Sequence, residues 1–169
     1  ILDMNWVDEY RPGAVMLVWQ GGQEGGLAVA DLLTGRTQPS GKLPDTIAQT
    51  ITDYPAAANY GSETCNVYAE DIYVGYRYFE TAAKDKVQYP FGYGLSYTQF
   101  EIKGNLGEIG EEEVFVEVRV KNTGNCAGKE VVQVYVRQPQ GKLGKPERVL
   151  AGFKKTKELA PGESVQLSV

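Results

Sequence analysis

Glu70 and Asp71 are neighbouring carboxylates of the kind that acid/base chemistry uses. Gln23 and Glu24 form a second polar pair, set inside the run Gly21-Gly22-Gln23-Glu24-Gly25-Gly26. A carboxylic acid gives up a proton and a carboxylate takes one, so two of them at one site can divide the work of breaking a bond. Spacing speaks against Glu70 and Asp71 doing this together, because neighbours on a strand point to opposite faces. They read as structural residues that pair with Arg77, or as contacts to a substrate or a partner domain. The sequence contains no histidine, so it offers no imidazole as base or metal ligand.

Three readings of Gln23 and Glu24 stay open. The glycines around them let a strand and a helix pack closely, or the two polar side chains line a ligand rim, or the loop cradles a phosphate. The dinucleotide fingerprint G-x-G-x-x-G fails here. Gly21 is followed two places on by Gln23, and no acidic residue closes the pattern about 20 positions later.

The elements that position these residues can be read in order. Residues 1–10 resemble a short amphipathic helix, broken by Arg11-Pro12-Gly13. Residues 14–19, AVMLVW, form a continuous apolar run, as in a strand buried on both faces. Glu24 suits the positive end of a helix dipole. Leu27, Ala28, Ala30, Asp31 and Leu33 then give a short helix with one apolar face, and Gly35 is its expected stop. Pro39-Ser40-Gly41 is a turn before the extended Lys42-Leu43-Pro44. Strand, glycine loop, helix, turn and strand make one βαβ-like unit, which predicts a parallel sheet covered by helices. Thr46-Ile47-Ala48 finishes a strand. Residues 54–65 read as an irregular loop, and loops of that length are often functional.

Three runs are similar to the second domain of family 3 glycoside hydrolases. The first is Gly-Gln-Glu-Gly-Gly at 22–26, followed by Ala30-Asp31-Leu32-Leu33-Thr34-Gly35 and by Pro39-Ser40-Gly41-Lys42-Leu43-Pro44. The second is VYAEDIYVGYRYF at 67–79. The third, and most specific, is Tyr-Pro-Phe-Gly-Tyr-Gly-Leu-Ser-Tyr at 89–97. The resemblance implies a piece of a retaining enzyme of the β-glucosidase type. Its barrel domain carries an Asp nucleophile, its helix-and-sheet domain an acid/base Glu, and a β-sandwich follows. Such an enzyme needs two carboxyl groups about 5–5.5 Å apart. The resemblance assigns neither to this sequence, so no catalytic residue is expected in it. Gln23, Glu24, Glu70 and Asp71 are candidates for the substrate rim only. Seven of the 11 tyrosines lie between Tyr68 and Tyr97, and they read as packing at a junction or as a platform for sugar faces.

Beyond Tyr97 the period changes to two. Val114, Val116, Val118 and Val120 alternate with polar or exposed positions, and Val132, Val134 and Val136 repeat the pattern. The two sets are expected to face one core. Asn122-Thr123-Gly124-Asn125 is a turn, 139–146 a loop, 148–155 a third strand, and Leu159–Glu163 a turn before a last strand at 164–169. Short strands with turns between them predict a sandwich. Its order resembles the fibronectin type III-like domain of many family 3 enzymes, with the last strands expected beyond Val169.

The fold class expected is therefore an α/β fragment, the βαβ part of an α/β/α sandwich, followed by an all-β fibronectin type III-like sandwich. Charge marks the same division. Residues 1–97 hold 12 acidic and 6 basic residues, a balance of −6, and 98–169 hold 10 and 11, a balance of +1. The boundary is expected at Tyr97, give or take about 4 residues. A net charge of −5 argues against a nucleic-acid partner. No apolar run approaches the roughly 20 residues of a membrane span. Cys65 and Cys126 are expected as free thiols. A start without Met fits a piece of a longer chain, whose compartment is left open, with cytoplasm favoured over secretion. The expected partners are a β-linked glucoside or oligosaccharide and the remaining barrel domain, with no metal and no organic cofactor. The alternatives are a β-xylosidase or β-N-acetylglucosaminidase of the same family, and a non-catalytic carbohydrate-binding or scaffold module.

Overall fold

The computed structural model describes residues 2–169, apart from the side chain of Glu108. In chain order the elements are α1 (Asn5–Tyr10), α2 (Gly25–Leu33), β1 (Ile47–Ala48), two 3-10 turns (Ile51–Asp53 and Pro55–Ala58), α3 (Tyr76–Ala82), a third 3-10 turn (Lys84–Lys86), β2 (Val87–Tyr89), β3 (Phe100–Ile109), β4 (Val114–Asn122), β5 (Val131–Val136), β6 (Val149–Lys155) and β7 (Ser164–Ser168). They fall into two compact units, each gathered from separated stretches. The first unit takes the residues up to Ala14, Leu43–Tyr93 and Tyr135–Leu150, and the second takes Val15–Lys42, Gly94–Val134 and Ala151–Val169.

The first unit has a small core of Ala48, Phe79 and Ala83, with Tyr54, Tyr78 and Val87 packed around it. Strand β1 pairs antiparallel with β2. The Tyr54 hydroxyl locks β1 from the side, accepting from the Ala48 amide at 2.9 Å and donating to the Thr46 carbonyl at 3.0 Å. Its ring meets Phe79 edge-on. Of the two 3-10 turns, Ile51–Asp53 precedes the stretch expected to be an irregular loop and Pro55–Ala58 gives that stretch an ordered start. Thr50 and Asp53 close a capping box on the first of them. Helix α1 begins where the Asp3 carboxylate accepts from the Asn5 amide. It ends where Arg11 turns left-handed ahead of Pro12. Ile1, part of the expected helix, lies outside the described residues.

The second unit is built on the antiparallel sheet β3-β4-β7; β5 and β6 pair as a separate two-stranded sheet, of which residues 131–134 and 151–155 belong to this unit. Its core is Val118, Val120, Val132 and Leu159, with Phe100, Val116, Val134, Val165, Leu167 and Val169 against it. The alternation read from the sequence put the right parity inward. It overreached at the strand ends, where Val114 and Val136 are 53% and 44% exposed. Strand β3 gave no sequence signal because Gly104 and Gly107 interrupt its alternation.

Asn122 is wholly buried rather than part of an open turn. Its side-chain oxygen accepts from the Thr98 hydroxyl at 2.7 Å and the Gly124 amide at 3.0 Å. Its side-chain amide donates to the Cys126 and Leu159 carbonyls, both at 2.8 Å. Every polar atom of that side chain is used, which is what makes its burial tolerable.

The α/β stretch followed by an all-β sandwich is the architecture expected. One local expectation needs correcting. Residues 14–19 form no strand and are not buried on both faces, Trp19 turning left-handed at φ 55°, and β1 runs antiparallel to its partner rather than parallel. A strand is held by hydrogen bonds to a neighbouring strand. Among the described residues none pairs with 14–19.

Candidate functional site

Gln23 and Glu24 form the turn into α2, and both are exposed. Glu24 is the N-cap residue but makes no side-chain cap bond, and its carbonyl accepts from the Ala28 amide at 3.0 Å. Its carboxylate forms no ion pair among the described residues. The helix closes as the sequence suggested, with the Gly35 amide donating to the Leu32 carbonyl at 3.1 Å. The Tyr97 hydroxyl donates to the same carbonyl at 3.0 Å. The last tyrosine of the 89–97 run thus caps the helix that follows the glycine run.

Glu70 and Asp71 lie in a turn, not on a strand. The reason is local: Asp71 takes a left-handed backbone, φ 53°, and the Tyr73 amide donates back to the Glu70 carbonyl at 2.9 Å. Asp is among the residues that tolerate this conformation. Neither carboxylate pairs with Arg77 among the described residues. Gln23 and Glu24 belong to the second unit, Glu70 and Asp71 to the first.

Helix α3 opens at Gly75, whose φ of 56° and ψ of −128° suit only glycine. Tyr76, its first residue, is the hub of the first unit. Its ring stacks on Phe91 with centroids 4.5 Å apart and meets Tyr135 edge-on at 6.2 Å. Its hydroxyl accepts from the Leu150 amide at 2.8 Å. One turn on, the Glu80 carboxylate pairs with the Arg148 guanidinium, which also sits over the Tyr135 ring at 4.8 Å. Burial, partly offset by Arg148, pushes the Tyr135 phenol above its usual range. By contrast, Tyr60 and Tyr68 are 90% and 88% exposed, so the tyrosines divide into packing and free sets.

In the second unit Lys42 ties two of the motif runs together. Its ammonium bonds the Gly94 carbonyl and the Glu130 carboxylate, both at 2.8 Å, with both side chains mostly buried. Close approach is required here. A Cβ at Gly94 would fall on the Gly41 carbonyl oxygen. That is the physical need behind the glycine at 94.

An open depression of about 580 Å³ lies at the β3–β4 hairpin, lined by Ile109–Glu113 and Phe115, and none of the four candidates borders it. Among the described residues no three acidic or sulfur ligands gather to hold a metal. Cys65 and Cys126 are free and exposed. No helix among the described residues is long and apolar enough to cross a membrane. Tyr76, Glu80, Arg148, Lys42 and Asn122 were not singled out from the sequence. Apart from the Gly124 and Cys126 bonds of Asn122, their polar partners lie between 24 and 88 positions away, beyond the reach of any local period.

Comparison with known proteins agrees with the motif runs. The Glycosyl hydrolase family 3 C-terminal domain matches residues 1–97, and a Fibronectin type III-like domain matches 130–169. A Beta-glucosidase of Ruminococcus albus is 57% identical over 169 residues, which is 100% of this chain and 18% of that protein. A beta-glucosidase structure from Paenibacillus barengoltzii superposes with a TM-score of 0.91 at 57% identity, covering 99% of this chain and 19% of that one. Beta-glucosidase 3B from Thermotoga neapolitana, solved in complex with glucose, gives 0.82 at 49% identity, with 90% and 22% covered. The chain thus spans about a fifth of the length of the relatives it matches.

Proposed function

The chain belongs to glycosyl hydrolase family 3, and from that premise we propose that it is part of a retaining β-glucosidase that hydrolyses terminal β-D-glucosidic bonds. The observation that carries this is the 57% identity to a beta-glucosidase across every residue of the chain. In the reaction an Asp attacks the anomeric carbon, and a Glu protonates the leaving oxygen and then activates water, the two carboxyls being about 5–5.5 Å apart. On this reading both groups lie on other parts of the parent. Residues 1–169 supply the rear of the helix-and-sheet domain, 1–97, and the sandwich from 98 onward. Gln23 and Glu24 in the second unit, and Glu70 and Asp71 in the first, are each taken as candidate substrate-rim residues. That the carboxylates of Glu24, Glu70 and Asp71 form no ion pair among the described residues supports that role.

The test is release of nitrophenol from the β-glucoside, compared with the β-xyloside and β-N-acetylglucosaminide. The parent should turn over the glucoside with retained anomeric configuration, as seen by proton NMR of the first product. The purified 169-residue chain should be inactive on all three. A parent that prefers the xyloside would move the assignment to that activity.

A further inference from the structure

The stretch Tyr135–Leu150 lies within the fibronectin type III-like part of the sequence, yet it belongs to the same compact unit as α3. We propose that this stretch is a strap that fixes helix α3 and the turn carrying Glu70 and Asp71.

Helix α3 has only seven residues and no side-chain cap at its start. A helix that short does not hold itself together in water. Its sole buried side chain is Phe79. The strap supplies what is missing along one side of it. The Leu150 amide donates to the Tyr76 hydroxyl at 2.8 Å, Arg148 pairs with Glu80, and the Glu147 amide donates to the Thr81 hydroxyl at 2.9 Å. Positions 76 and 80 are one helical turn apart and share a face.

The strap is braced from within. Gln140 exchanges two hydrogen bonds with the Lys145 backbone, both at 3.0 Å, and Arg137 pairs with Glu147 at 2.7 Å. Pro146 is buried. At Gly144 the strap passes Tyr73 so closely that a Cβ would stand 3.2 Å from the phenolic oxygen. Tyr73 is the residue whose amide closes the turn onto the Glu70 carbonyl. The strap therefore grips both the helix and the turn before it.

The experiment is amide hydrogen exchange on the 169-residue chain, with Arg148→Met, Glu80→Gln and the double variant. Each single change should speed exchange across residues 73–83 about tenfold, because losing one partner of a charge pair leaves the other stranded. The double should add little, since both remove one contact. Amides of β3, β4 and β7 should be unchanged. Thr81→Ala is a gentler variant that leaves the unit folded. Alanine is the better helix former, so faster exchange at Glu147 and along α3 would have to come from the lost contact. No change at 73–83, or equal acceleration everywhere, overturns the strap. The readout needs no turnover, so its failure leaves the β-glucosidase reading untouched, and the reverse holds.

Discussion

Tyr76 lies nearly flat on Phe91, with ring centroids 4.5 Å apart and planes 23° from parallel. The contact joins the start of α3 to the aromatic run at 89–97, two places that sequence similarity marks separately. Removing the ring should release both. Tyr76→Ala is expected to cost about 2–4 kcal/mol, and Tyr76→Phe about 1–2, since the latter only strands the Leu150 amide. Denaturant melts of the two variants measure the split. Equal losses would mean that the hydroxyl, not the stack, does the holding.

Asn122 makes the sharper case for a polar core residue. Asn122→Ala leaves the Thr98 hydroxyl, the Gly124 amide and two carbonyls short of a partner, at an expected cost of about 2–4 kcal/mol. Asn122→Asp should cost at least as much at neutral pH. It turns a charged oxygen towards the Cys126 and Leu159 carbonyls, which now receive a donor. Chemical denaturation at pH 7 checks both, and the Asp variant should recover part of its loss in acid, when the carboxyl is protonated.

Glu163 is held below the usual carboxylate range, first by its bond to the Lys157 ammonium and then by the Ala160 amide. A carboxyl depressed in the folded state adds stability above its unfolded pKa. That contribution disappears as pH falls through the folded value. Stability on the acid side should therefore fall less steeply in Glu163→Gln than in the parent sequence. In Lys157→Ala the Glu163 titration, followed by carboxyl carbon NMR, should move up towards the ordinary range.

In the full-length parent, Glu70→Gln and Asp71→Asn should raise KM several-fold while leaving kcat within about threefold, the pattern of lost ground-state contact rather than lost chemistry. A fall in kcat of several orders of magnitude for either would make it a member of the catalytic pair.

Local chemistry was legible and long-range chemistry was not. Helix α2, its stop at Gly35 and the valine faces of β4 and β5 follow from spacing alone. The stretch around Glu70 read as a strand because its aromatic and β-branched residues suit one. The left-handed Asp71 and the glycine at 75 overrule that preference. The strap was invisible for a different reason: Arg148 sits 68 positions from Glu80. Of the candidate rim, the sequence supplied the residue types, while their division between two units needed coordinates.

The bare ribbon at 14–19 bears on how this chain behaves in a tube. Val15, Val18 and Trp19 face outward beside backbone groups that no described strand engages. Apolar side chains exposed together in this way favour self-association. Solubility should drop with concentration as molecules zip together through this segment, giving light scattering at tens of micromolar while the fold stays intact. A lysine at Val18 would charge the ribbon and keep the solution clear.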